Sequence, residues 1–299
     1  MRAMSLPCQP GILRAAPAHG RFLTFELRHG VPGHDVLRRL AAMRHDRRAI
    51  IGIGQPLLTG GGHGVQGLRP FPSDLGLFPA AQGALWVFLT HADPGASFDA
   101  GTALAAALHD ALVSSEDITA FAYRGGRDLS GFEDGTENPR GRAAIAAALV
   151  QGQGKGLDGG SFVLAQRWRH DLRAIAAMPP AARDNVIGRR LRGNREIAEA
   201  PPSAHVKRTA QESFTPPAFV LRRSMPWGGP AGAHGLYFVA FTARLDAVEG
   251  MLRRMAGRED GVVDALFSFS RAETGGYYYC PPLRGDRLDL RAVLPPSDG

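Results

Sequence analysis

Ser130-Gly131-Phe132-Glu133-Asp134-Gly135-Thr136-Glu137-Asn138-Pro139 lies near the middle of the chain, and its reading decides how the rest divides. Three carboxylates fall within five residues, among two glycines and a proline. Asp-Gly is a common turn dipeptide, so composition alone favours a solvated turn. A calcium loop is a second reading, but the EF-hand spacing of oxygen ligands with a distant Glu is missing. Position is more informative than composition. The surrounding segment, 124–160, has the densest turn chemistry in the chain, an Ala-rich stretch at 143–149 and a Gly-rich stretch from Gln151 to Gly156. A loop placed between two folded units often carries function.

Outward from this segment, similar patterns run on both sides. Towards the N-terminus, residues 22–27 read as a strand rich in aromatic and aliphatic side chains. Val36, Leu40 and Met43 mark one face of a helix. Residues 49–53 read as a strand, followed by a Gly/Pro-rich loop over 54–83 and a buried strand over 84–89. Leu104, Ala107, Leu108, Ala111 and Leu112 repeat at helical spacing, and 118–123 closes the half as a strand. The order is β-α-β-β-α-β, which is ferredoxin-like. Towards the C-terminus the same order recurs with insertions. Strands are expected at 161–166, 218–221, 236–241, 266–269 and 277–279, and helical segments run up to Ile187. Leu245, Val248, Leu252 and Met255 form an amphipathic helix stopped by Gly257. The expected class is α+β, with two ferredoxin-like domains built on antiparallel sheets. Their division is 5–125, an interdomain segment 126–160, and 161–290.

Bulk properties set limits. A chain of 299 residues, 44% hydrophobic and 21% charged, is ordinary for a globular protein with a sizeable core. No apolar run reaches the ~18 residues of a membrane span. The first nine residues lack an apolar secretory core, so the expected address is cytoplasmic. Cys8 and Cys280 are the only cysteines, which argues against a disulfide framework or a cysteine zinc site. The net charge of +7 is spread over short doublets such as Arg38-Arg39 and Arg253-Arg254. No basic run is interleaved with aromatics, so no nucleic-acid partner is expected.

Two further stretches could carry chemistry. Ala204-His205-Val206-Lys207-Arg208 offers a histidine among ten, with His91, His170 and His234 equal contenders by spacing. Leu221-Arg222-Arg223-Ser224-Met225-Pro226-Trp227-Gly228 reads as a strand end carrying two arginines. Alternation puts Arg222 and Arg223 on opposite faces, so at most one points inward. A buried arginine needs an anionic or charged partner.

In this order the stretches resemble the dye-decolorising peroxidases, specifically the bacterial B-type group. Gly131-Phe132-Glu133-Asp134-Gly135 fits that family's GxxDG motif. Further landmarks stand in register: Gln9-Pro10-Gly11-Ile12, Ser161-Phe162-Val163-Leu164-Ala165-Gln166-Arg167-Trp168 with His170-Asp171-Leu172, Arg222-Arg223-Ser224-Met225-Pro226, and Gly276-Tyr277-Tyr278-Tyr279-Cys280-Pro281-Pro282. The resemblance covers nearly the whole chain.

The resemblance implies a fold of the dimeric α/β-barrel type and one haem b per chain, held mainly by the C-terminal half. It implies an enzyme that uses hydrogen peroxide to form a ferryl intermediate, which oxidises organic donors such as dyes and phenols by one-electron steps. His205 would be the iron ligand, and Asp134 and Arg222 the catalytic pair on the other side of the haem. Arg208 would pair with a haem propionate. Gly135, Thr136 and Phe238 would line the cofactor pocket, and Asp264 would accept the His205 Nδ1–H. Ser224 stands where some B-type members carry Asn. Glu133 is expected to face solvent. Trp168, Trp227, Tyr277, Tyr278 and Tyr279 are either core residues or surface relays of electrons to bulky donors. A homo-oligomer and no membrane partner are expected. The chain ends at Leu294-Pro295-Pro296-Ser297-Asp298-Gly299, soon after the last landmark, so a free enzyme without a long cargo tail is expected. The alternative is a haem-binding protein of haem or porphyrin handling, because chlorite dismutases and coprohaem decarboxylases share the fold.

Overall fold

The computed structural model describes residues 7–58, 65 and 67–294. The first residues of the expected N-terminal unit, part of the 54–83 loop and the tail at 295–299 lie outside the described residues, and with them the expectation of no cargo tail.

The first half runs β1 (His19–Leu27), α1 (Gly33–Ala42), β2 (Ala49–Gly54), β3 (Leu85–Leu89), α2 (Pro94–Leu108), β4 (Leu112–Phe121). A middle helix, α3 (Gly141–Ala148), follows. The second half runs β5 (Ser161–His170), α4 (Leu172–Ala177), α5 (Pro180–Ile187), α6 (His205–Arg208), β6 (Leu221–Arg222), β7 (Met225–Gly228), β8 (His234–Thr242), α7 (Leu245–Met255), β9 (Ser270–Ala272), β10 (Gly276–Cys280). A small hairpin of β11 (Leu283–Arg284) and β12 (Arg287–Leu288) ends the described chain.

The strands β1 to β10 form one sheet in the order β6-β8-β7-β4-β1-β3-β2-β10-β5-β9, and β8 also pairs with β5. That last pairing closes the sheet into a barrel. All its pairings are antiparallel. β6 and β7 lie end to end along one edge of β8, in one register. β9 and β10 likewise lie end to end along β5, with the register shifted by one residue between them. Each half orders its strands alike, as β4-β1-β3-β2 and as β10-β5-β8-β7. The halves meet at two short seams. β4 meets β7 at Ala120 and Trp227, and β2 meets β10 at Gly54 with Tyr278 and Ile53 with Tyr279.

Side-chain alternation sorts the core into two layers. Phe22, Trp86, Phe88, Val163, Ala165, Tyr237, Val239, Phe241 and Tyr278 share one cluster. Their rings touch across strands that are not neighbours: Phe22 of β1 stacks on Tyr237 of β8 at 3.9 Å, and Trp86 of β3 stacks on Tyr278 of β10 at 6.1 Å. This cluster is the barrel interior. Leu23, Phe25, Val87, Leu164, Trp168, Ala240, Tyr277 and Tyr279 point the other way, into the layer shared with α1, α2 and α7.

The two halves complete one barrel, in keeping with the α/β-barrel expectation. Other expectations are corrected. Helix α2 ends at Leu108, so Ala111 and Leu112 are not on it, and Leu112 instead opens β4 opposite Leu27. Of the strand expected at 218–221, only Leu221 pairs, and pairing then continues through Arg222 to Gly228. Residues 266–269 are not a strand. Asp264 Oδ1 accepts from the Leu266 amide at 2.8 Å and starts a 3-10 turn, so the strand begins at Ser270. Trp168, Trp227 and the three tyrosines are all buried, so none is a surface relay.

Candidate active site

A cavity of about 410 Å³ lies between the outer face of the β5–β8 pair and helix α7. β5 supplies Leu164, Gln166, Trp168 and His170 at every second position, β8 supplies Leu236 and Phe238, and α7 supplies Val248, Met251, Leu252 and Met255. The period of two on the strand and of three to four on the helix explains this lining. The walls are mostly apolar, and a few polar groups converge on the space, which is the usual make-up of a small-molecule site.

One polar wall is the central loop. Its Asp128 is the anchor. The Asp128 carboxylate accepts from the Ser130 amide at 2.8 Å and lies 3.0 Å from His170 Nε2, while its amide donates to the Phe132 carbonyl at 2.8 Å. His170 Nδ1 in turn lies 2.7 Å from Ser270 Oγ. Burial alone would raise the Asp128 carboxyl, but the hydrogen bond and charge of His170 and the bond from Ser130 hold it below its usual value. Gly131 and Gly135 turn with φ of 92° and 72°, the left-handed region that favours glycine. The turn at Gly135 lets its amide donate to Asp134 Oδ1 at 2.8 Å.

Arg222 reaches the same loop from β6. Its Nη1 lies 3.2 Å from Asp134 Oδ1. Asn138 sets that approach: its Oδ1 accepts from the Arg222 amide at 2.8 Å and its Nδ2 donates to the Arg222 carbonyl at 3.0 Å. One side-chain amide thus satisfies both backbone groups of Arg222 as a neighbouring strand would. Asp134 Oδ2 has no protein partner among the described residues.

His205 opens the short helix α6 on another wall. Its Nδ1 lies 2.8 Å from Oδ2 of Asp264, which is fully buried. A carboxylate only accepts, so Nδ1 carries the proton and Nε2 keeps its lone pair. Nε2 has no protein partner among the described residues, and His205 lines the cavity.

Asp134, Thr136, His205, Arg222 and Phe238 therefore line one space, and Asp264 stands directly behind His205. Gly135 shapes the loop and does not line the cavity. Arg208 is a correction. Its guanidinium is buried and turned away, with Nη1 and Nη2 held by Asp260 at 2.7 and 2.8 Å and Nη2 and Nε donating to the Arg254 carbonyl. Four of its five N–H donors are taken, and Arg208 does not line the cavity. Ser224 does not line the cavity; its Oγ accepts from the Val239 amide. Glu133 is exposed, as expected, at the rim of the cavity, where Arg127 and Asn194 each bind it at 2.8 Å.

Sequence reasoning missed Asn138, Asp128 and Gln166 as site residues, and it held His170 only as one histidine contender among several. Gln166 is fully buried in the cavity wall; its Oε1 accepts from Trp168 Nε1 at 3.2 Å, and its Nε2 has no partner. Only the alternation of β5, continued to His170, could have pointed to Gln166 and His170 from the sequence.

Comparison with known proteins points to one family. The family model described as "Dyp-type peroxidase, C-terminal" matches residues 125–285. The chain is 29% identical over 301 residues to a dye-decolorizing peroxidase of Rhodococcus erythropolis, covering 93% of this chain and 88% of that one. It is 29% identical over 222 residues to a dye-decolorizing peroxidase of Mycobacterium tuberculosis, covering 73% and 66%. Among solved structures, a dye-decolorizing protein from V. cholerae superposes with a TM-score of 0.80 at 26% identity, covering 93% and 97%. A DypB variant from Rhodococcus jostii RHA1 in complex with heme superposes with a TM-score of 0.83 at 24% identity, over the same shares, which speaks for the fold alone. The chain belongs to the Dyp-type peroxidase family.

Proposed function

We propose that this peroxidase binds haem b in the cavity above, with His205 as the iron ligand and Asp134 and Arg222 as the groups that act on hydrogen peroxide. The observation that carries the reading is His205: its Nδ1 is fixed on a buried carboxylate and its Nε2 is free in a large, mainly apolar cavity. Anchoring of this kind orients a ligating histidine and raises its basicity. The cavity also fits the group in its loose ends. Gln166 Nε2 and Arg222 Nε are buried donors without partners, and Lys207 lines the space with no carboxylate paired to it among the described residues. We assign Gln166 and Lys207 to the cofactor's carboxylates in place of Arg208. Haem bound there supplies the redox equivalents for splitting the peroxide bond and for oxidising small organic donors one electron at a time.

The chain's own part is proton movement and charge. Asp134 Oδ1 is held by Gly135 and Arg222, which leaves Oδ2 to take a proton from one peroxide oxygen and return it to the other. The Arg222 guanidinium stays charged near neutrality and stabilises the negative charge that develops as the oxygens part. Pure haem handling has no use for this pair.

The reading is tested on haem-reconstituted protein. His205→Ala is expected to lose the Soret band of the bound group. Asp134→Asn and Arg222→Leu are each expected to keep it, while slowing the first spectral change after mixing with peroxide by more than tenfold, about 1.4 kcal/mol. If neither substitution slows that change tenfold, the two roles are wrong.

The same reading extends to the frame. The shared strand order supports two ferredoxin-like units, 5–125 and 161–290, joined by 126–160. Cys8 and Cys280 are free and buried, which suits a reducing cytoplasmic address. No described helix is long and apolar enough to cross a membrane. A homo-oligomer is part of the proposal, with light scattering as its check.

A further inference from the structure

Arg222 ends β6 and Arg223 follows it, still bonded to β8 through its amide, so alternation sends their side chains to opposite faces of the sheet. Arg222 enters the cavity already described. Arg223 stands opposite Val239, whose side chain belongs to the barrel interior. Its guanidinium lines a second cavity of about 280 Å³, where residues 11–18 pass the end of the barrel. Arg14 and Arg48 also line this cavity, and Phe88, Ala15, Pro17 and Ala92 give it apolar walls.

The charge balance of this cavity is one-sided. Among the described residues, three arginines line it and no Asp or Glu does. Arg223 finds only carbonyl oxygens: Nη1 donates to Arg222 at 2.9 Å and Nη2 to Leu13 at 3.1 Å, and its buried Nε has no partner. Burial pulls its guanidinium below the usual range, because no carboxylate offsets the desolvation. Arg14 also bonds a carbonyl, that of Arg47 at 3.2 Å. Asp46 is near in sequence but already engaged, by His91 Nε2 at 2.9 Å and the Arg48 amide at 2.8 Å. A partly buried arginine without an anion is a costly arrangement, and an anion is what would complete it.

We propose that the cavity lined by Arg14, Arg48 and Arg223 is a binding site for a small organic anion, with an apolar body against Phe88 and one carboxylate or sulfonate among the three guanidiniums. The apolar lining selects against bare inorganic ions. The site lies apart from the peroxide site and does not depend on the reading of the haem cavity, although both share the Arg222–Arg223 peptide.

The test is calorimetric titration of the haem-loaded protein with 2-naphthalenesulfonate and 2-naphthoate, with neutral 2-naphthamide as the control. The expected result is saturable binding of at least one anion, weakened at least tenfold by either Arg14→Ala or Arg48→Ala and by added salt. Both residues are exposed at the surface, so their removal leaves the fold intact. Arg223→Met is expected to abolish binding, with circular dichroism as the check on folding. The proposal is overturned if neither anion saturates up to millimolar concentration. It is equally overturned if the neutral amide binds as tightly, or if the Arg14 and Arg48 variants bind like the parent protein.

Discussion

Asp264 shows how much one side chain can decide. It caps the turn at Leu266 with one oxygen and fixes His205 with the other. Asp264→Ala is expected to leave the cavity shape and remove the anchor. Loss of haem to a scavenging protein should then be about 10–100-fold faster, the usual effect of deleting a ligand's hydrogen-bond partner. The reduction potential should also rise, since the imidazole loses an anionic partner that favours oxidised iron. Unchanged retention together with an unchanged potential would remove Asp264 from the site. This pairing also shows what the sequence could not display. His205 is one histidine among ten, and its partner is fifty-nine residues away. Asn138 and Arg222 are eighty-four residues apart, so the clamp between them has no local pattern. Asp134 was legible because its loop has a short, local glycine-and-acid signature. Arg208 misled because proximity to His205 in the chain says nothing of Asp260, which holds its guanidinium.

At the scale of elements, legibility follows apolar content. β3 and the first half of β5 are apolar runs buried on both faces, and their positions were plain, whereas the polar residues from Gln166 to His170 hid the far end of β5. β4 was half hidden, since Ser114, Ser115, Glu116 and Asp117 give it a polar stretch that delays its apparent start to 118. Its Glu116 is nevertheless used inside: Oε2 accepts from Tyr237 at 2.9 Å, and burial raises its carboxyl above the usual value. The β5–β8 pair, which floors the cavity, depends on a close backbone approach. A Cβ at Gly235 would run into the carbonyl oxygen of Trp168. Gly235→Ala is expected to cost about 1–3 kcal/mol, read as a lower urea midpoint with an unchanged slope. No change in midpoint would mean that the seam yields freely.

For the whole molecule, one source of acid sensitivity is a histidine that does not line the cavity. His45, between α1 and β2, is buried, and neither ring nitrogen has a partner. Its amide donates to the Asp286 carbonyl at 2.7 Å and so ties the first half to the terminal hairpin. Burial lowers its imidazole from 6.5 to about 4, against the opposing charge of Asp46. The unfolded chain therefore takes up the proton first as pH falls. Stability that is complete above about 6.5 is lost progressively towards about 4. Relative to His45→Leu, the parent protein is expected to lose on the order of 2 kcal/mol more between pH 7 and about 4.5, measured by urea denaturation. Parallel losses in both proteins would refute this.

The barrel has a further consequence for how the chain can vary. Every described residue that lines the cavity between the β5–β8 pair and α7 lies between 128 and 270, inside the stretch the family model recognises. The first half meets that cavity only by completing the circle of strands. Substitutions there are filtered by whether the circle still closes and, around Arg14 and Arg48, by the proposed anion site; those in the second half are filtered also by what the larger cavity must hold. Two halves of equal architecture thus carry different burdens of inheritance, and away from those arginines the N-terminal one is the freer to be rebuilt.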